Sequence, residues 1–157
     1  MKVIQAIPSM PEPVTESEVA KFLESKLNTQ IATIDEEGYP VIQPTWFHYD
    51  RQSGKIFVGT PKMSIKVQNM RRNPDKIYFA IDDENYPYKG VKGRATARIS
   101  EDIQHNLPLI EKIALKYLGT LDHPLAKMLT DNTRKGTEVI IELTPRFFSA
   151  WDFAKAM

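Results

Sequence analysis

Lys89-Gly90-Val91-Lys92-Gly93-Arg94-Ala95-Thr96-Ala97-Arg98-Ile99-Ser100 alternates in character along its whole length. Val91, Gly93, Ala95, Ala97 and Ile99 fall on one side, and Lys92, Arg94, Thr96 and Arg98 on the other. Successive side chains of a strand point to opposite faces, so the pattern predicts one long strand with an apolar side and a charged side. The small residues Gly93, Ala95 and Ala97 on the apolar side suit a tightly curved barrel wall, or the close approach of a ligand or another backbone. A half-exposed edge strand has the same pattern.

Working upstream, Lys76 to Ile81 predicts a neighbouring strand, and Ile56 to Val58 ends another. Between them runs Gly59-Thr60-Pro61-Lys62-Met63-Ser64-Ile65-Lys66-Val67-Gln68-Asn69-Met70-Arg71-Arg72-Asn73-Pro74. Gly59 and Pro61 break the strand, Ser64 is placed to cap a short helix, and the helix must stop before Pro74. Met63, Val67 and Met70 share one helical face and predict its buried stripe, with Lys66 beside that stripe. A hydroxyl and an ammonium near a helix N-terminus suit a dianionic phosphate. An amphipathic surface helix with solvated lysines has the same spacing, and the residues alone leave both readings open.

Further upstream, Gln30 to Ile34 and the long run Tyr39 to Tyr49 form a hairpin about the turn Asp35-Glu36-Glu37-Gly38. Pro40 and Pro44 interrupt the run, and Asp50 to Gly54 is the next turn. Thr15-Glu16-Ser17-Glu18 is a capping-box pattern opening a helix to Ser25. Residues 1–14, with Pro8, Pro11 and Pro13, read as an extended arm. Downstream, Asn106-Leu107-Pro108 opens a helix with the stripe Ile110, Ile113, Ala114 and Tyr117, ending at Gly119. Asp122-His123-Pro124 opens a second, carrying Leu125, Met128 and Leu129. Thr137 to Leu143 and Phe147 to Phe153 are the closing strands, split by Pro145. Antiparallel strands with short turns and inserted helices predict a mainly β fold, a β-barrel with α-helices, over 15–157 behind the arm 1–14.

A chain of 157 residues fits one domain, and 41% apolar with 26% charged residues is ordinary for a soluble one. No apolar run approaches the roughly 20 residues of a membrane span. The N-terminal stretch is too short and interrupted for a signal peptide. Cysteine is absent, which excludes disulfides, thiolate catalysis and Cys-ligated metals and fits a cytoplasmic protein. With 21 basic and 20 acidic residues, nothing draws the chain generally toward nucleic acid or anionic lipid. His48, His105 and His123 share no short spacing, so no metal site is expected. His105 and His123 read as surface residues, while the role of His48, on a strand after Trp46 and Phe47, stays open. The absence of G-x-S-x-G, Walker and G-x-G-x-x-G motifs argues against a standard hydrolase or dinucleotide-binding enzyme.

In order and spacing, IATIDEEGYPVIQPTWFHYD, GTPKMSIKVQNMRRNP, PYKGVKGRATARIS and TPRFFSAWDF resemble the pyridoxamine 5'-phosphate oxidase-like flavin-binding split β-barrels, over Leu27 to Asp152. The resemblance implies a six-stranded antiparallel split barrel that is homodimeric, with FMN bound at the dimer interface. It implies a cofactor phosphate at Thr60, Ser64 and Lys66, and a ring system lined by Gln43, Pro44, Thr45 and Trp46. Tyr88, Lys89 and Trp151 of a partner subunit are its candidates for closing the site. Trp46 also reads as core and Trp151 as an interface anchor. The vitamin-B6 oxidases themselves use a longer C-terminal segment for substrate phosphate, whereas this sequence ends at Met157. A substrate other than pyridoxamine phosphate is therefore expected.

The function that follows is an FMN-dependent oxidoreductase moving hydride to or from a small organic substrate, with no side chain marked as acid or base. RRNP and PYKGVKGRA also resemble members that bind the deazaflavin F420, whose longer anionic tail would use a basic rim of Lys62, Arg71 and Arg72. A non-catalytic barrel that sequesters or senses flavin is the alternative from another class.

Overall fold

The period-two stretch forms one strand of 12 residues, and the sheet is arranged around it. The computed structural model describes residues 1–156; Met157, the last residue of the expected domain, lies outside the described residues. In chain order the first elements are β1 (Val3–Gln5), α1 (Glu16–Phe22), β2 (Thr29–Ile34), β3 (Pro40–Thr45), β4 (His48–Asp50), β5 (Lys55–Pro61) and α2 (Ile65–Arg72). There follow β6 (Ile77–Asp83), β7 (Lys89–Ser100), α3 (Ile103–Leu118), α4 (Pro124–Arg134), β8 (Glu138–Pro145), β9 (Phe148–Asp152) and a closing 3₁₀ turn, Phe153–Ala156.

Hydrogen bonding runs β3-β2-β6-β7-β8-β5-β4, antiparallel at every step. The long strands β2, β3, β5, β6, β7 and β8 are the expected six-stranded wall, and β1, β4 and β9 are short additions. Opposite its β6 ladder, β7 serves two further partners: its first half pairs with β9 from Lys89↔Asp152, its second with β8 from Ala95↔Pro145. The arm is not free, because β1 lies parallel on β9 with Val3 opposite Phe148.

The two ends of this path, β3 and β4, are not ladder partners. They are consecutive in the chain, and Trp46 and Phe47 carry the backbone from one to the other. The run Tyr39 to Tyr49 is therefore two strands with a corner, and the wall is split there. Pro44, which can donate nothing to a ladder, is tolerated because β3 is an edge strand paired only with β2.

Ile31, Phe79, Val91, Ala95, Ile141 and Phe148 fill the barrel. A side chain at Gly93 would collide with the backbone carbonyl of Phe147. The small residues of β7 thus answer to the close approach of this chain's own backbone. A second apolar layer, with Phe57, Ile110, Ile113, Tyr117 and Ile140, lies between the outside of the sheet and α3. β8 is buried on both faces, so Val139, Ile141 and Leu143 point into the barrel. By the same alternation Glu138, Ile140 and Glu142 share the opposite, helix-covered face.

The capping box of α1 forms in both directions, with Thr15 N–H donating to Glu18 at 2.8 Å and Glu18 N–H to Thr15 Oγ1 at 3.2 Å. Two helical expectations need correction. Met63 is 77% exposed, because it precedes the N-cap Ser64; Val67 and Met70 alone are the buried stripe, joined by Lys66 and Asn69. The helix expected to open at Asn106 begins at Ile103, where the Asp102 carboxylate caps the N–H groups of Gln104 and His105. Pro108 then sits inside α3, its fixed φ compatible with the helix and one backbone hydrogen bond given up.

Candidate functional site

A cavity of about 370 Å³ opens where the end of β3, β5, the start of α2 and the start of β8 meet α3 and α4. Its apolar walls are Trp46 from the corner, Ile110 and Ile113 from α3, and Leu125 and Leu129 from α4. Trp46 is fixed by a parallel stack on Tyr117, with ring centroids 4.7 Å apart and planes 1° off. The Tyr117 hydroxyl donates to the Leu27 carbonyl at 2.5 Å and accepts the Phe47 N–H at 3.3 Å. Burial pushes its phenol up to about 12, so it stays a neutral donor.

The polar end of the cavity is made by Thr45, Thr60, Lys66 and Glu138. Lys66 projects from the first turn of α2, is 5% exposed, and donates from Nζ to Gln43 Oε1 at 3.0 Å. Burial lowers its pKa, and the Glu138 carboxylate opposes that shift. Ser64 holds the N-cap conformation, yet its side chain caps no backbone N–H. It receives the Thr60 hydroxyl instead, at 3.3 Å, so the first-turn N–H groups of α2 keep no side-chain cap. Thr45 Oγ1 is buried without a hydrogen-bond partner among the described residues.

This arrangement accommodates a phosphate-bearing ring. The Thr60 hydroxyl and the Lys66 ammonium line one end, Ser64 at the uncapped start of α2 is bonded to Thr60 beside them, and an apolar slot with an indole wall leads away. Gly59 keeps the slot open, because a Cβ there would lie 2.5 Å from Ile110 Cδ1 and 3.6 Å from Glu138 Oε1. β3 is paired on one side only, so alternate backbone groups of its cavity end face away from β2.

Pro44, Thr45, Trp46, Thr60 and Lys66 therefore come together in one cavity, with Gln43 and Ser64 bonded to its rim. Within one chain, Tyr88, Lys89 and Trp151 do not join them. Lys89 and Trp151 line a second cavity of about 300 Å³, with Val14, Glu18 and Phe22 from the α1 side. Tyr88 is exposed and makes edge contacts with Tyr86 and Phe153. Lys62 and Arg71 share the Glu101 carboxylate at 2.5 and 3.2 Å, and Arg72 reaches Glu36 at 3.5 Å. His48 is half-buried against Phe57 outside the cavity, its pKa lowered by burial and then by Lys112. Asn69 packs inward and donates to Thr33 Oγ1 at 3.0 Å.

Sequence reasoning missed Glu138 and the helical walls. Glu138 is 5% exposed, and burial pushes its carboxyl up to about 7, with Lys66 drawing it down. The available signal was an acidic residue opening the otherwise apolar run Glu138-Val139-Ile140-Ile141. Among the described residues, no helix is long and apolar enough to cross a membrane.

Against known proteins, residues 15–152 match the family model described as pyridoxamine 5'-phosphate oxidase. A conserved hypothetical protein from Mycobacterium tuberculosis, Rv2991, is 25% identical, with 90% of this chain and 87% of that one covered at a TM-score of 0.76. A structure titled F420 reductase is 26% identical, with 87% and 98% covered at a TM-score of 0.67. The heme storage protein HutZ from Vibrio cholerae is 16% identical, with 87% and 93% covered at a TM-score of 0.65, a likeness of fold alone. No curated protein matches. With most of its length matched by the family model and the split wall present, the chain belongs to the pyridoxamine 5'-phosphate oxidase family.

Proposed function

We propose that the protein is an FMN-dependent oxidoreductase working as a homodimer on a small organic substrate. The observation that carries the reading is the pairing of Thr60 and Lys66 at one end of the slot walled by Trp46, with Ser64 at the uncapped start of α2 bonded to Thr60. The flavin supplies hydride transfer when bound; the chain's own residues bind it, orient it and exclude water. Lys66, released from Gln43, and the α2 N-terminus neutralise the phosphate. Trp46, held by Tyr117, presents a flat apolar wall to the ring. The free backbone groups of β3 match the polar edge of such a ring. Tyr88, Lys89 and Trp151, away from the cavity in their own chain, are available to close the site of a second copy.

A second reading, with the deazaflavin F420, is favoured by the likeness to F420 reductase. Against it, the rim expected for an anionic tail is occupied: Lys62 and Arg71 are held by Glu101, and Arg72 by Glu36. These exposed pairs are worth no more than about 1 kcal/mol each, so a tail could displace the carboxylates. The deciding experiment is the absorption spectrum of purified protein with mass spectrometry of the released cofactor, followed by turnover with a reduced-cofactor supply. FMN with turnover is expected. F420 shifts the assignment to the second reading; a bound flavin without turnover indicates a sequestering protein; a colourless protein that binds neither cofactor overturns both.

A further inference from the structure

Glu138 and Glu142 face the same helix-covered side of β8, yet their surroundings differ. Glu142 is 3% exposed and fully engaged, with Arg98 Nε at 2.5 Å and His105 Nε2 at 2.9 Å. Those bonds outweigh burial and hold its pKa below the usual carboxylate value. Glu138 is equally buried, lines the cavity, and makes no hydrogen bond or ion pair among the described residues. Its one charged neighbour in the cavity is Lys66 on α2. β3 contributes Pro44 and Thr45, β5 contributes Gly59, Thr60 and Pro61, and α3 and α4 contribute only aliphatic side chains, so no other titratable group lines the cavity.

A buried carboxyl aimed into a phosphate pocket is at odds with a simple anion site. If Glu138 is ionised, its charge cancels that of Lys66 and repels the incoming anion. If it is protonated, the pocket carries the net positive charge of Lys66, and the carboxyl O–H becomes one more donor to a phosphate oxygen. We propose that Glu138 makes the Lys66 site proton-linked: a phosphate mono- or diester enters together with one proton, which the Glu138 carboxyl takes up. No redox or covalent step is involved; the proton comes from solvent and returns when the anion leaves. Burial raises this carboxyl and Lys66 opposes it, leaving it at about 7, within the physiological range. Glu138 is on this view a specificity residue that selects the charge state of the complex, and the inference rests on the assignment of the cofactor phosphate to Lys66.

The test uses the intact wild-type protein and Glu138→Gln, with FMN and F420 each as probe. Calorimetry in two buffers of different ionisation enthalpy, at about pH 8, reads the protons taken up on binding. Wild type should take up close to one proton more than Glu138→Gln with the same probe, a difference that removes the phosphate's own titration. Wild-type affinity should fall about tenfold per pH unit above the carboxyl's transition, while the variant stays flat and binds about tenfold tighter at that pH. Carboxyl carbon NMR of the wild type gives the answer without a variant, since one glutamate should titrate near neutrality in the free protein and remain protonated to higher pH in the complex. Binding with equal uptake in both proteins, or no such glutamate, overturns the proposal and leaves the cofactor assignment standing. Absence of binding by both probes at every pH overturns the cofactor assignment and the proposal with it.

Discussion

Lys66 shows how burial changes what a substitution means. Helical spacing puts Lys66 beside the buried stripe, and the structure takes the ammonium inside as well, onto Gln43. A charge-assisted hydrogen bond to a phosphate is worth roughly 1.5–3 kcal/mol, so Lys66→Ala should weaken FMN binding about tenfold to a hundredfold. Ser64→Ala should cost less, because that hydroxyl already has Thr60 as a partner. Titration calorimetry of both variants checks the order. Glu138 gives a second prediction, in stability. Its folded pKa lies above its ordinary value of 4.5, at about 7, so between these values the folded state binds more protons than the unfolded chain. Stability contributed by this group is then present at low pH and lost as pH rises through about 7. Glu138→Gln should match wild type in melting near pH 5 and exceed it by about 2 kcal/mol near pH 8.5, once solvent screening is allowed for. Equal melting at both pH values would show that Glu138 is not strained by its site. The place of Lys66 beside the buried stripe was legible because Val67 and Met70 lie on its own helix; its bond to Gln43 on β3 was not. Glu138 was not legible, because α3 and α4, through Ile110, Ile113, Leu125 and Leu129, and Lys66 on α2 create its surroundings.

At the scale of elements, the strands were legible wherever alternation or a turn signal was local. β7 has the predicted bounds, and the Asp35–Gly38 turn closes with Gly38 at φ 87°. What was hidden depends on partners. The run through Trp46 and Phe47 reads as one strand until β2 and β5 claim its two halves on opposite ends of the sheet. The start of α3 was misplaced because Pro108 imitates a first-turn proline, while the true cap Asp102 reads as turn chemistry. α3 holds the corner through Tyr117, whose hydroxyl serves both the Leu27 carbonyl and the buried Phe47 N–H. Tyr117→Phe keeps the stack on Trp46 but leaves those two backbone groups short of a partner. A loss of about 1–3 kcal/mol is expected, read as a lower urea midpoint with an unchanged slope. A changed slope would mean instead that the corner has opened and the native state has loosened.

At the scale of the whole molecule, the proposed homodimer needs a surface for its second copy, and the outer face of β3, β2 and β6 suits one. Ile42 and Tyr78 lie opposite Ala32 from either side, so the three form one row across the sheet. Ile42 is 67% exposed and Tyr78 41%, a large apolar outlay for a sheet edge facing water. The edge strand β3 that carries Ile42 also carries Pro44 and Thr45 of the cavity. A copy packed on this row would therefore approach the mouth of the site, which in the proposed dimer Tyr88, Lys89 and Trp151 of the second copy close. Such an interface is isologous and, if obligate, buries roughly 2,000 Å² or more. Light scattering should give twice the 18.0 kDa of one chain for wild type. The double variant Ile42→Lys, Tyr78→Lys places like charges against each other across the two-fold axis and should run as a monomer. Its own cavity lining is untouched, so a shared site predicts that cofactor is lost together with the dimer. A monomeric variant that retains cofactor at wild-type affinity would place the whole site within one chain and remove Tyr88, Lys89 and Trp151 from it.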